Sequence, residues 1–149
     1  MITWGQFEAA HPALAAFGAE RLGRPPAYLG TVRSDGGPRV HPVTPLAGSG
    51  HLFVFMEPAS PKGRDLRERG VYALHSAVPD TDGTGGEFFL SGTAALVTDK
   101  GLREVAVGAA SYSPADRYIL FELGLLKAGC NGYGDVVLPS PARWAWPVS

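Results

Sequence analysis

The sequence predicts a mainly β domain of α+β type: six or seven antiparallel strands closed into a small barrel, with helices on its flanks. Three observations carry this. Short apolar runs rich in β-branched and aromatic residues recur from residue 27 onward. Dense turn chemistry separates them, as in Ser34-Asp35-Gly36-Gly37-Pro38 and Ala47-Gly48-Ser49-Gly50. Helical patterns stand between only some of the strands, and no internal repeat or heptad is present.

Residues 1–26 form an N-terminal helical segment. Thr3-x-x-Gln6 is a capping-box pattern, and Pro12 opens a second helix with Leu14, Phe17 and Leu22 at near-helical spacing before Gly23. Arg24-Pro25-Pro26 is a rigid extended link, so this segment is expected to pack outside the barrel or across its end.

The barrel, residues 27–149, starts with a strand from Ala27 to Arg33. A second runs from Arg39 to Leu46, where Pro42 and Pro45 donate no ladder bonds and argue for an edge or a bulge. A tight hairpin at Ala47–Gly50 leads into the strand His51 to Met56. A helix opens at Ser60 and stops at Arg69-Gly70. Val71 to Val78 is strand-like, and Pro79 to Gly86 is a polar loop. Glu87 to Thr98 is a long strand with Gly92 as a bulge, and Asp99 to Ala110 is a helix with Leu102, Val105 and Ala109 on one face. Asp116 to Leu126 is a further strand, residues 127–141 are turn-rich, and Arg143 to Pro147 is a last short strand.

Composition sets bounds. A chain of 149 residues is one domain, large enough to bury roughly 70% of its unfolded surface. Hydrophobic residues make up 45% and charged residues 18%, as in ordinary globular chains. The net charge of −1 leaves no electrostatic footprint for nucleic acid or an anionic membrane. The one cysteine, Cys130, excludes an intramolecular disulfide and points to a reducing compartment, where it reads as a small filler. The first basic residue is Arg21, so no signal-peptide pattern is seen, and the apolar run Tyr118 to Leu126 contains Glu122 and is too short for a membrane span. The expected location is the cytoplasm. No two histidines, nor a histidine and a carboxylate, stand at metal-ligand spacing, and no metal site is expected.

The chemistry is densest at Ser60-Pro61-Lys62-Gly63. Ser60 is a favoured N-cap and Pro61 suits the first helical position. The free first-turn amides and the helix dipole make a place for an anion. Lys62 has the wrong sign for that dipole unless an anion is bound there. Arg39 can bring a forked guanidinium to the same anion, and it shares a strand face with His41 and Val43.

These residues carry a resemblance. Arg39, Val40, Pro42 and Val43, then the strand His51 to Met56, then Ser60, Lys62, Asp65 and Leu66 resemble the FMN-binding split barrel of the pyridoxamine 5′-phosphate oxidase-like superfamily. The resemblance runs from about Ala27 to Ala95, with a weaker echo at Arg143-Trp144. It implies a homodimer holding FMN at the subunit interface and an FMN-dependent oxidoreductase whose electrons come from a nicotinamide reductant or pass to a small-molecule substrate. The phosphate falls to Arg39, Ser60 and Lys62, with Pro61 in the same cofactor site. The flavin ring falls to His41, Val43 and Thr44, with Phe55 and Met56 lining the site and Val40 and Pro42 among the cofactor-binding residues. Glu87 stands where the oxidases proper carry a glutamine on the flavin, and Trp144 is the residue expected to approach a partner's flavin. The chain departs from those oxidases at Glu87 and in lacking their basic C-terminal segment, so the resemblance does not extend to oxidation of pyridoxamine phosphate itself. The alternatives are a deazaflavin coenzyme, its anionic tail met by Arg64, Arg67 and Arg69, a flavin-storage module without turnover, and a haem-handling relative with His41 as ligand.

Overall fold

The computed structural model describes residues 1–134 and 136–147. Helices α1 (Trp4–Ala10) and α2 (Pro12–Leu22) come first. Thr3 makes the expected capping box: its hydroxyl accepts from the Gln6 amide, and the Gln6 side chain accepts from the Thr3 amide at 2.9 Å. Trp4, Phe7 and Leu14 are buried in the main core, with the Trp4 ring edge-on to Phe7 at 5.3 Å and to Phe88 at 6.1 Å.

The remaining elements are β1 (Ala27–Val32), β2 (Pro38–Val43), β3 (Leu46–Gly48), β4 (His51–Met56), α3 (Pro61–Glu68), β5 (Val71–His75), β6 (Glu87–Leu96), α4 (Lys100–Ala109), β7 (Ile119–Asn131) and β8 (Arg143–Ala145). All pairings among these strands are antiparallel, in the order β2-β1-β5-β6-β7-β4-β3, with β8 beside β7. The inner face encloses Leu29, Leu74, Phe88, Phe121 and Leu123. A second apolar cluster of Phe53, Phe55 and Leu120 lies on the other face of β4 and β7, covered by Ala106 of α4.

The path of the sheet has seven strands, as expected, and the short β8 adds an eighth beside β7. Two expectations are corrected. The strand expected over Arg39–Leu46 is two strands, at opposite ends of the sheet. Thr44-Pro45 separates them, because Pro45 has no N–H for a ladder and restricts the residue before it. The tight hairpin therefore joins β3 to β4 at Ser49-Gly50, while β2 pairs with β1 and is an edge strand, as its prolines require. Finally, β7 continues to Asn131 instead of ending at Leu126. Gly129, Cys130 and Asn131 pair with Phe89, Phe88 and Glu87, so the ladder to β6 overrides a turn-like composition.

Candidate anion and ring site

The start of α3 forms as its residues dictate. Ser60 is the N-cap, its Oγ accepting from the Gly63 amide at 3.2 Å, and the Arg64 amide bonds to the Ser60 carbonyl at 3.1 Å. Pro61 has no N–H, so the Lys62 amide is the first-turn donor left open among the described residues. Gly63 is needed for packing. A Cβ there would stand 2.9 Å from Ser60 Oγ and 3.2 Å from Met56 Sδ, so only glycine lets the helix start lie on β4.

Lys62 is half-buried, and no carboxylate pairs with it among the described residues. Burial holds its ammonium below the ordinary lysine value. His41 is exposed, yet partial desolvation and then the charges of Lys62 and Arg39 lower its imidazole below the usual value. The two charges are the informative cause: they bring Arg39, His41 and Lys62 onto one positive patch at the positive end of a helix. An anion binding there offsets both charges, so inorganic phosphate is expected to raise the His41 titration midpoint. Proton NMR of the imidazole with and without phosphate checks this, and a midpoint indifferent to phosphate contradicts it.

Arg39 is held from behind. Its Nε donates to Asp65 Oδ2 at 2.8 Å, and the buried Thr31 hydroxyl donates to the same oxygen at 2.7 Å. Arg69 Nη2 donates to Asp65 Oδ1 at 3.3 Å, and its Nε donates to the Val32 carbonyl at 2.6 Å. Burial by itself raises the Asp65 pKa, but the hydrogen bonds from Arg39 and Thr31 and the charges of Arg39 and Arg69 outweigh it and hold the carboxyl below its ordinary range. Sequence reading took Asp65 as part of a motif and gave it no role. Its partners lie 34 and 26 residues away, at Thr31 and Arg39, beyond any local pattern.

The other expected residues divide between two faces of β2. Arg39, His41 and Val43 lie opposite Thr31, Leu29 and Ala27 of β1, on the inner face beneath α3. Val40 and Pro42 point outward, opposite Gly30 and Tyr28. Val43 is buried in the core and offers a ligand little. On the outer face, Tyr28, Gly30, Val40, Ala73, His75 and Phe89 line an apolar trough of about 430 Å³ with Lys127 at its far side. Met56 is buried beside the start of α3.

Several placements correct the expectation. Thr44 lies past the end of β2, in a separate cavity with Pro25, Pro45 and Ala109, because Pro45 turns the chain away. Phe55 faces away from Met56 by strand alternation and packs under α4, with the Arg103 guanidinium 5.2 Å from its ring centre. Trp144 is buried, its ring centre 5.1 Å from that of Phe7, and Trp146 is the exposed one. Glu87 accepts from Asn131 Nδ2 at 2.9 Å and faces His75 Nε2 at 3.4 Å, and the His75 ring stacks on Phe89. Sequence reading also missed the pair of His51 Nδ1 and the buried Glu122 Oε2, 2.5 Å apart under α4. Among the described residues no group of three or more histidine, cysteine or acidic side chains is placed to hold a metal.

Neither a family model nor a curated protein matches the sequence. Solved structures do. A haem-binding protein from Mycobacterium smegmatis superposes with a TM-score of 0.66 at 17% identity over 87% of this chain, which spans 57% of the length of that protein. A Listeria innocua protein named as a candidate pyridoxamine 5′-phosphate oxidase gives 0.60 at 13% identity, covering 77% of this chain and 92% of its own. The chain has the pyridoxamine 5′-phosphate oxidase-like split-barrel fold. An F420 reductase shares this split barrel, with a TM-score of 0.56 at 18% identity over 74% of this chain and 94% of its own. At these identities the likeness is one of fold. No helix among the described residues is long and apolar enough to cross a membrane.

Proposed function

We propose that this split barrel binds FMN and serves as an FMN-dependent oxidoreductase, with the phosphate at the start of α3. The observation that carries the reading is Lys62: a half-buried cation with no carboxylate partner among the described residues, beside Arg39, His41 and an open helix-start amide. That donor set fits a phosphate. Lys62 and the Lys62 amide hold it from the helix, and the free end of the Arg39 fork holds it from the strand. The ring then runs along the open edge of β2 toward Val40 and Pro42 and the apolar trough. Bound there, the flavin supplies the hydride and electron chemistry, and the chain's residues bind it, orient it and exclude water.

The trough also supports assembly. Tyr28 and Val40 are exposed beside Ala73 and Phe89 on the outer face of the sheet, an apolar surface suited to burial. A second copy on this face covers the ring and gives a twofold dimer. Sedimentation at micromolar concentration tests this, and a flavin-loaded monomer contradicts it.

The similarity to an F420 reductase supports a second reading, a deazaflavin coenzyme in the same groove. Arg64 and Arg67 are exposed on α3 and available to its tail, whereas Arg69 is committed to Asp65, Glu68 and the Val32 carbonyl. The haem-binding neighbour supports haem less well, because His41 feels the charges of Lys62 and Arg39, which suit an anion.

Lys62→Ala is expected to weaken FMN binding by about 1.5–3 kcal/mol, the worth of a hydrogen bond to a charged group. Riboflavin, which lacks the phosphate, should bind wild type and variant alike. Fluorescence-quenching titrations check both, and an equal loss for the two ligands moves Lys62 off the phosphate.

A further inference from the structure

We propose that Asp65 is the positioning residue of the phosphate site: without touching the ligand, its carboxylate aims the Arg39 guanidinium and fixes the start of α3 against the β1–β2 pair. The inference rests on the FMN reading above and adds a residue to it. Asp65 is buried and accepts three hydrogen bonds, from Thr31 on β1, Arg39 on β2 and Arg69 just past the end of α3. Arg69 extends the clamp by bonding the Val32 carbonyl. Asp65 lies one turn along α3 from Lys62, so the bonds that anchor Asp65 also set where Lys62 stands relative to β2.

The geometry at Arg39 is specific. Asp65 takes Nε, one edge of the guanidinium, and leaves both terminal Nη groups with no bond among the described residues. Those two groups form the fork that grips a phosphate. Arg39 is on an edge strand and 30% exposed, so without Asp65 its long side chain samples many rotamers. Holding it beforehand removes an ordering cost from binding.

Charge alone predicts the opposite. A carboxylate beside an anion site repels the anion, so neutralising Asp65 tightens phosphate binding if Asp65 is merely a nearby charge. Asp65→Asn separates the two. The amide offers one acceptor oxygen and a donating NH₂, so it cannot accept all three bonds.

The test is titration of FMN and of riboflavin into wild type, Asp65→Asn and Thr31→Val, followed by fluorescence quenching. Asp65→Asn is expected to weaken FMN about tenfold and to leave riboflavin unchanged. Thr31→Val removes one of the bonds that fix Asp65 and is expected to weaken FMN by less, again without affecting riboflavin. FMN binding that is unchanged or tighter in Asp65→Asn overturns the proposal, and so does an equal loss of both ligands, which marks a structural role only. If Asp65→Asn does not fold, Thr31→Val decides: unchanged FMN affinity overturns the proposal. Wild type that fails to bind FMN overturns the flavin reading itself, a result distinct from wild type that binds beside an unaffected variant.

Discussion

Replacing Asp65 with alanine is expected to lower the stability of the ligand-free protein by about 2–4 kcal/mol. The largest contribution is the Thr31 hydroxyl, which is buried and loses its acceptor. Arg39 and Arg69 lose charged partners too, but their side chains are 30% and 27% exposed, and water recovers part of that. The effect depends on pH with a definite sign. The folded state holds the Asp65 carboxyl below its unfolded value, so its contribution is fully present above the unfolded pKa of about 3.9. It is lost as the pH falls through the lower, folded value. Urea unfolding should show the full gap between wild type and Asp65→Ala near neutrality and a shrinking gap below about pH 4. A gap that stays constant in acid would mean the stabilisation does not come from the ionised carboxylate.

Gly92→Ala should be at least as damaging, for a steric reason. Gly92 sits at the bulge in the antiparallel pairing of β6 with β7, and a Cβ there would stand 1.9 Å from the Gly124 carbonyl oxygen and 2.9 Å from its carbon. That oxygen also accepts the hydrogen bond of the buried Tyr72 hydroxyl at 2.9 Å. Moving the backbone away breaks this bond and leaves a hydroxyl buried without a partner. Overpacking and the orphaned hydroxyl together are expected to cost about 3 kcal/mol or more. The melting temperature should fall by about 10 °C. A fall below about 2 °C would show that the strand pair shifts freely at the bulge.

Gly92 was legible in the sequence, as were the Thr3 capping box, the Ser60 cap and the prolines that mark β2 as an edge. Each is a local rule read over a few residues, and the fold class follows from them together. What the sequence withheld is non-local. Phe55 and Met56 are neighbours on a strand covered on both faces, so apolar pattern alone does not tell which one faces the site. Trp144 reads as a free aromatic until α1 is seen to cover it with Phe7. Turn-like residues after Leu126 become strand because β6 offers them a ladder. The role of Asp65 depends on a hydroxyl and a guanidinium brought to it by two other strands.

The central claim is that this fold presents a phosphate-binding site at the start of α3, with Lys62 and Arg39 as its cations. Its most direct test is the FMN-to-riboflavin preference of the purified wild-type protein, measured by fluorescence quenching at fixed salt. The two ligands share the ring and differ by the phosphate. Two charged hydrogen bonds to that group predict that FMN binds tighter by about 3 kcal/mol, roughly a hundredfold. Equal affinity for the two, or binding of neither, would contradict it.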